Sequence, residues 1–261
     1  MNRVVSLVVL YLCLGSVLFA QQVADPNFDT KVAKPAFPAK HPKVLFDEAH
    51  NNFHTATGRY KPFADLITND GYQVTPNLQK FSRQILKGYD LLVISNALGA
   101  PTMNAPEAGN PAFTAEESDA VRDWVKDGGA LLLIADHAPM GAANQILGER
   151  FGVNMSKMFT IDTFTDQSLK GPADSESFLK LADTAVDAMQ GTNANPVSAA
   201  GRSQGLALKF GKGRVVVLGE AAMLSAQLAG PNRMQFGMNR PGIDNRQLAL
   251  NIVHWLSGLL K

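Results

Sequence analysis

The sequence is nearly free of cysteine. Cys13 is the single cysteine among 261 residues, and it lies in an N-terminal segment that we expect to be removed. The mature chain would then form no disulfide, and cysteine nucleophiles and cysteine-ligated zinc are excluded. Lipid attachment at Cys13 is not expected either, because Leu12 stands where a lipoprotein needs a small residue.

Charge is also scarce. Asp, Glu, Lys and Arg make up 18% of the residues and the formal net charge is +1, whereas about a quarter of the residues are charged in an average globular protein. The chain has no run rich in lysine and arginine, so nucleic acids and anionic membrane surfaces are not expected as partners. Beyond the N-terminal segment, no apolar run has the length of a transmembrane helix.

Residues 1–20 have the pattern of a secretory signal peptide. Arg3 supplies a positive charge, residues 7–14 form an unbroken apolar run, and Ala20 offers a small residue for cleavage before Gln21. An apolar core of this length is typical of a cleaved signal and is too short for a membrane span. We therefore expect an exported protein, periplasmic or secreted. A retained N-terminal anchor is the alternative.

The rest of the chain divides into a short leader and one domain. Residues 21–42 are rich in proline and lysine without an apolar period, which predicts an extended leader or linker. The length of residues 43–261 fits a single domain. Within it, residues from about 154 to 200 are rich in Asn, Gly, Pro and Ser, which predicts an insertion with one helix at 177–189. The sequence leaves open whether the leader docks on the domain.

Strands and helices are expected to alternate within this domain. Apolar runs predict strands at 44–46, 72–75, 90–95 and 130–135, followed by a hairpin of 206–210 with 214–218. Helical spacing of apolar residues predicts helices at 62–69, 78–86, 114–128 and 141–151, and a C-terminal helix with Leu248, Ile252, Trp255, Leu256 and Leu259 on one face. Apolar strands between amphipathic helices predict an α/β fold with a doubly wound, mostly parallel sheet of the flavodoxin-like type.

Polar residues follow several of these strands directly. Ligands of such sheets bind beyond the carboxyl ends of the strands, so these residues are the candidate site. They are Asp47, Glu48, His50, Asn51, His54, Asn96, Asp136, His137 and Glu220.

His50 and His54 suggest two kinds of chemistry. Four residues apart, they would share one face of a helix, as the histidines of zinc-binding HExxH do, although Asn51 replaces the glutamate that would act as the base. With Asp136 they could hold a divalent metal such as zinc. A metal-free acid/base site with His50 or His137 and a carboxylate is an equal alternative. A polar loop in which these side chains satisfy the backbone is the third.

Two short motifs match known functional sites, but the sequence around each of them argues against that function. Residues 47–50 spell DEAH, but the sequence has no GxxxxGK[ST] loop to hold nucleotide phosphates. Residues 201–205 match GxSxG, but Ser203 would precede a strand, whereas a nucleophile elbow follows a strand and opens a helix. The predicted strand–turn–helix lies instead at Asp136–His137, where a helix N-terminus could hold an anion or oxyanion. A plain βα loop capped by Asp136 is the alternative.

Three segments resemble a known superfamily. They are GGALLLIADHAPMGAANQILGERFG, GKGRVVVLGEAAMLSA and DNRQLALNIVHWL, and together they resemble the class I glutamine amidotransferase-like superfamily over about residues 43–153 and 205–260. The resemblance implies a flavodoxin-like sheet with a site at the elbow after the fourth strand. Active amidotransferases have cysteine at that elbow, where this chain has Asp136 and His137, so the resemblance does not imply glutaminase activity. Non-amidotransferase members include sugar-related and assembly-related proteins.

We therefore expect an exported hydrolase-like enzyme that acts on a small or saccharide-derived substrate. The predicted catalytic residues are His50, Asp136, His137 and Glu220. The predicted ligand-binding residues are Asp47, Glu48, Asn51 and Asn96, and the predicted metal ligands are His50, His54 and Asp136. The alternative is a ligand-binding or envelope-assembly module without chemistry. The oligomeric state stays open.

Overall fold

The computed structural model describes residues 22–155 and 205–260. The predicted signal peptide, Ser203, the helix predicted at 177–189 and nearly all of the predicted insertion lie outside the described residues.

The described strands form two sheets. In chain order they are β1 (Val23–Ala24), β2 (Lys43–Asp47), β3 (Gln73–Asn77), β4 (Leu91–Ser95), β5 (Ala130–Ile134), β6 (Gly205–Phe210), β7 (Gly213–Leu218), β8 (Ala226–Ala229) and β9 (Met234–Gly237). The larger sheet has six strands in the order β3-β2-β4-β5-β7-β6, and a smaller antiparallel sheet has the order β1-β8-β9. All pairs of the larger sheet are parallel except β6 with β7. The predicted α/β fold with a mostly parallel sheet is confirmed.

Helices cover both faces of the larger sheet. They are α1 (Lys61–Asn69), α2 (Arg83–Leu86), α3 (Ala115–Lys126), α4 (Met140–Ala143), α5 (Gln145–Glu149) and α6 (Asn245–Leu256). Short 3₁₀ turns lie at Pro106–Gly109 and Ala222–Leu224. In the described part of the chain, no helix is both long enough and apolar enough to cross a membrane.

The core lies on the two sides of this sheet, because successive side chains of a strand point to opposite faces. In β2, Val44 and Phe46 pack with α1 and α6, whereas Leu45 packs on the side of α3. All three are at most 2% exposed, and full burial of each such side chain is worth about 1.5–3 kcal/mol. A strand that is buried on both faces needs a continuous run of apolar residues. Such a run at residues 44–46 predicted this strand.

Several predicted helix boundaries are confirmed and others are wrong. The capping box of α3 is present, since the Thr114 side chain accepts from the Glu117 backbone N–H and the Glu117 side chain accepts from that of Thr114. The helix predicted at 78–86 is shortened to α2, because the Ser82 hydroxyl caps it and Leu78 is 75% exposed. The helix predicted at 141–151 is divided into α4 and α5 at Asn144.

The C-terminal helix also ends earlier than predicted. α6 stops at Leu256, and Gly258 follows with a φ of 80°, a left-handed conformation that favours glycine and ends helices. Leu259 is therefore not on the helix face and is 48% exposed.

The N-terminal segment packs on the domain. β1 pairs antiparallel with β8, which belongs to a hairpin that the sequence did not predict. Farther along, the Ala36 backbone N–H donates to Asp70 over 2.8 Å, and the ring of Phe37 lies edge-on to Tyr72 at 4.9 Å. The leader is therefore docked along residues 22–42, which settles the question that the sequence left open.

Candidate functional site

Asn96 organises the carboxyl ends of the two central strands. It follows β4, is fully buried, and adopts a left-handed φ of 51°, which asparagine tolerates better than most residues. Its backbone N–H donates to the Ile134 carbonyl, and its side-chain oxygen accepts from the Asp136 backbone N–H, both over 2.9 Å. The predicted ligand-binding Asn96 is thus tied to protein groups and fixes the path of the chain after β5.

Asp136 and Glu220 lie side by side at this edge of the sheet. Ile134 of β5 is paired with Leu218 of β7, and each of the two carboxylates comes two residues after its strand. Burial and the charge of Asp136 raise the pKa of Glu220 to about 7, against the opposing effects of a hydrogen bond from the Ala222 backbone and the nearby His137. Glu220 therefore holds a proton at a pH where an ordinary glutamate has lost it.

His137 completes this group. Its backbone N–H donates to the Asp136 carboxylate over 2.8 Å, and its ring Nδ1 lies 2.7 Å from the Ala138 carbonyl oxygen. A carbonyl oxygen only accepts, so Nδ1 donates its N–H to Ala138. Asp136, His137 and Glu220, which we call the rim site, are only partly buried and thus accessible to a ligand.

His54 lies in a buried layer with Asn96 and Tyr60. Its Nδ1 is 3.2 Å from the Asn96 side-chain nitrogen, and its ring stacks on Tyr60 with centroids 4.7 Å apart. Burial, helped by the positive charge of Arg59, lowers the pKa of His54 to about 3, so the ring is neutral. Tyr60 in turn donates its hydroxyl to the carbonyl of Ala221, which directly follows Glu220. This neutral layer supports the rim site.

His50 belongs to a different cluster. Its Nδ1 lies 2.9 Å from both carboxylate oxygens of Asp47, and its Nε2 lies 2.9 Å from Glu117. The rings of Phe81 and Phe113 approach it with centroids 4.8 and 4.7 Å away. We call Asp47, His50 and Glu117 the buried triad, since none of them is more than 4% exposed.

The buried triad holds a charged imidazole. Burial alone would lower the pKa of His50, but the hydrogen bonds and charges of Asp47 and Glu117 outweigh it and raise that pKa. For Glu117, burial acts to raise the pKa, and hydrogen bonds from the backbone of Thr114 and from His50 outweigh it and lower that pKa. His50 is therefore a cation between two carboxylates, with both ring nitrogens in use.

The predicted helical pairing of His50 with His54 is wrong. Residues 48–60 form turns and bends, so the four-residue spacing does not place the two rings on a common face. Among the described residues, no group of three or more His, Cys, Asp or Glu side chains is arranged to hold a metal ion. The zinc site stays a prediction from the sequence.

The other predicted ligand-binding residues also make internal contacts. Glu48 accepts from the backbone N–H of Ala56 over 2.9 Å, and Asn51 donates its side-chain amide to the Leu98 carbonyl over 3.3 Å. Both bonds shape the loop after β2. With Asp47 in the buried triad, these three side chains position the chain around the site.

Glu117 is the residue that sequence reasoning missed. Its place in a capping box was clear, but one of its oxygens also accepts from His50 and from the backbone N–H of Phe81. His50 and Glu117 are 67 residues apart. A local sequence pattern gives no information about a contact between residues that far apart.

Comparison with known proteins gives a likeness of fold alone. No family model and no curated protein matches the sequence. The solved structure of the mmIFT52 N-terminal domain is similar, with a TM-score of 0.57 and 12% sequence identity over 82% of this chain and 97% of that domain. A second, weaker likeness is to the cytoplasmic protein STM3548 from Salmonella typhimurium, with a TM-score of 0.40 and 10% identity over 82% of this chain and 98% of that one. At 12% identity, the first likeness supports the α/β fold and carries no function with it.

Proposed function

We propose that the protein is an exported hydrolase-like enzyme whose rim site acts on a small or saccharide-derived substrate. The observation that carries the proposal is the convergence of Asp136, His137 and Glu220 beyond the adjacent ends of β5 and β7. In sheets of parallel strands covered on both faces, ligands bind beyond the carboxyl ends of the strands. Ionisable groups that share such an edge are typical of acid/base sites.

The chemistry follows from the raised pKa of Glu220 and from the two polar groups beside it. Glu220, protonated near neutral pH, can donate a proton to the leaving group. The Asp136 carboxylate, with His137 beside it, can take a proton from the attacking water. A proton donor next to a proton acceptor is the arrangement that general acid/base catalysis requires.

This proposal removes His50 from the predicted catalytic set. Both of its ring nitrogens bond to carboxylates in a buried place, so it neither reaches a ligand nor offers a lone pair. We assign His50 a structural role, which is to hold the loop after β2 against α3. The site then rests on His137, Asp136 and Glu220.

We also propose that the fold is flavodoxin-like and related to the class I glutamine amidotransferase-like superfamily. The support for this is the strand order β3-β2-β4-β5, which corresponds to the order 2-1-3-4 of flavodoxin-like sheets. A turn and a short helix follow β5, as at the superfamily's elbow. At that elbow this chain has Asp136 and His137.

The second candidate is a module that binds a ligand or an envelope partner without chemistry. The observation in its favour is that Asp47, Glu48, His50, Asn51 and Asn96, five of the predicted site residues, are engaged in contacts within the protein. A site reduced to three ionisable groups could bind a ligand without turnover.

A substrate panel separates the two candidates. Ester, amide and glycoside substrates are assayed with the purified mature chain, with Glu220→Gln and with His137→Ala. Glu107→Gln is the matched control, since Glu107 is an exposed glutamate outside the rim site. The proposal expects turnover that both rim variants abolish and the control keeps. Ligand-induced thermal stabilisation without turnover would favour the module, and turnover unchanged in both rim variants would refute the site.

A further inference from the structure

A cavity lies apart from the rim site. It has a volume of about 360 Å³ and is lined by the N-terminal segment on one side and by residues around β9 and α6 on the other. Its lining includes Asp25, Phe28, Gln235, Met238, Asn239 and Arg246. None of the residues of the rim site lines it. Its size is at the lower end of the range for small-molecule sites.

Part of the lining offers hydrogen-bond acceptors. Asp25 is 7% exposed, and its carboxylate accepts from the Asn27 backbone N–H over 3.0 Å and from the Asn239 side chain over 2.8 Å. The side-chain oxygen of Asn239 is itself buried and meets no donor among the described residues. The side chain cannot turn over to satisfy it, because its nitrogen donates to Asp25 and to the Gln227 carbonyl. A buried acceptor of this kind is costly without a donor.

The rest of the lining offers donors and an apolar surface. Arg246, in the first turn of α6, donates to the backbone carbonyls of Asp29 and Lys31 over 3.4 and 2.6 Å. These bonds use part of a guanidinium that has five N–H donors, and the rest can serve other acceptors. Phe28 and Met238 add an apolar face between the polar groups.

We propose that this cavity binds a polyol of monosaccharide or disaccharide size. Hydroxyl groups both donate and accept, so the same molecule can donate to Asp25, which Asn239 holds in place, and accept from Arg246. Its C–H face would pack on Phe28. The lining has charges of both signs, since Asp25 and Asp29 lie there with Arg246. A neutral polyol can bond to groups of both kinds without bringing a further charge into the cavity.

The test measures polyol binding by the full mature chain, using calorimetry and thermal unfolding. Glucose, N-acetylglucosamine, maltose and glycerol are the probes, each at millimolar concentration. We expect at least one saccharide probe to bind and to raise the unfolding midpoint. Asp25→Asn and Asn239→Leu should each weaken that binding by about tenfold or more. Gln235→Ala, which changes an exposed side chain of the lining, should weaken it by about threefold and keep the fold intact.

The rim variant Glu220→Gln separates this inference from the proposed function. It should bind the polyol as the unmodified chain does, whether or not the rim site is catalytic. The inference is overturned if no saccharide probe binds, or if binding is unchanged in both Asp25→Asn and Gln235→Ala. It is also overturned if Glu220→Gln abolishes binding, or if calcium chloride alone stabilises the chain and Asp25→Asn removes that effect.

Discussion

The buried triad and the rim site contain the same kinds of side chain and differ in how they are enclosed. Each has one histidine and two carboxylates near the carboxyl ends of parallel strands. In the buried triad, α3 and two phenylalanine rings close over His50, and the cation sits between two anions. At the rim site, Asp136 and Glu220 repel each other, and one of them holds a proton. Paired and enclosed charges hold the fold, whereas partly exposed and unbalanced ones are suited to chemistry.

The largest effect on stability is expected for His50→Ala. Removing the cation leaves Asp47 and Glu117 as buried, unpaired carboxylates, so the free energy of unfolding should fall by about 3–5 kcal/mol. Denaturant titration of the variant at pH 6 measures this loss. A loss below about 1 kcal/mol, the value of a surface ion pair, would show that the buried triad does not stabilise the fold.

Glu220→Gln should change catalysis strongly. Loss of a general acid or base is expected to lower kcat by about 10²-fold or more, with little loss of stability at pH 5, where Glu220 is protonated and resembles glutamine. The measurement is kcat on a substrate identified in the panel, beside a denaturant titration. Full kcat together with a large loss of stability would contradict this expectation, because it would mean that Glu220 stabilises the fold and takes no part in catalysis.

The same variant should be more stable than the unmodified chain in alkaline solution. The folded pKa of Glu220 lies above that of the unfolded chain, so its favourable contribution is present below about pH 4.5 and is lost as the pH rises through about 7. Glutamine has no charge to lose. Glu220→Gln should therefore gain about 1–2 kcal/mol over the unmodified chain between pH 5 and 9, since solvent partly screens this carboxylate. Equal stabilities throughout that range would contradict the electrostatics of the rim site.

The buried triad should show its own pH dependence. The raised pKa of His50 means that its contribution is complete below about pH 6.5 and is lost as the pH rises through the folded value. The lowered pKa of Glu117 means that its contribution is present above about pH 4.5 and is lost as the pH falls through the folded value. The difference in free energy of unfolding between the unmodified chain and His50→Ala should thus be largest between about pH 4.5 and 6.5. Denaturant titrations at several pH values measure it.

The smallest effect is expected at the cap of α3. Thr114→Ala removes one of the two reciprocal hydrogen bonds of the capping box and should cost about 1 kcal/mol. It also loosens the turn that presents Glu117 to His50. Thermal unfolding of the unmodified chain, of Thr114→Ala, of His50→Ala and of the double variant gives the coupling energy between the two residues. Strict additivity would mean that the cap and the triad are independent.

Local patterns in the sequence predicted much of this fold. The apolar runs of β4 and β5, the Thr114–Glu117 capping box and the β6–β7 hairpin all depend on neighbours in the chain, and the structure contains them. The expectation that Asp136 and Glu220 share one edge needed one further rule, that parallel strands end on the same side. Both residues lie beyond paired strand ends.

The contacts that decide the roles of individual side chains could not be predicted in this way. Glu117 meets His50 across 67 residues, and Tyr60 meets Ala221 across 161. A spacing of four suggested that His50 and His54 act together, but the intervening chain forms turns, and each ring found partners from distant elements. The surroundings also separate the two rings electrostatically, because Asp47 and Glu117 raise the pKa of His50, whereas burial lowers that of His54.

The most direct test of the difference between the two clusters is the titration of Glu220 by NMR. The protein with ¹³C-labelled glutamate is titrated and compared with Glu220→Gln, which assigns the resonance, and with Asp136→Asn, which tests the cause of the shift. We expect a carboxyl resonance with a pKa of about 7 that is missing in Glu220→Gln and titrates at lower pH in Asp136→Asn. A Glu220 that titrates near 4.5, as an ordinary glutamate does, and that ignores Asp136→Asn would contradict it.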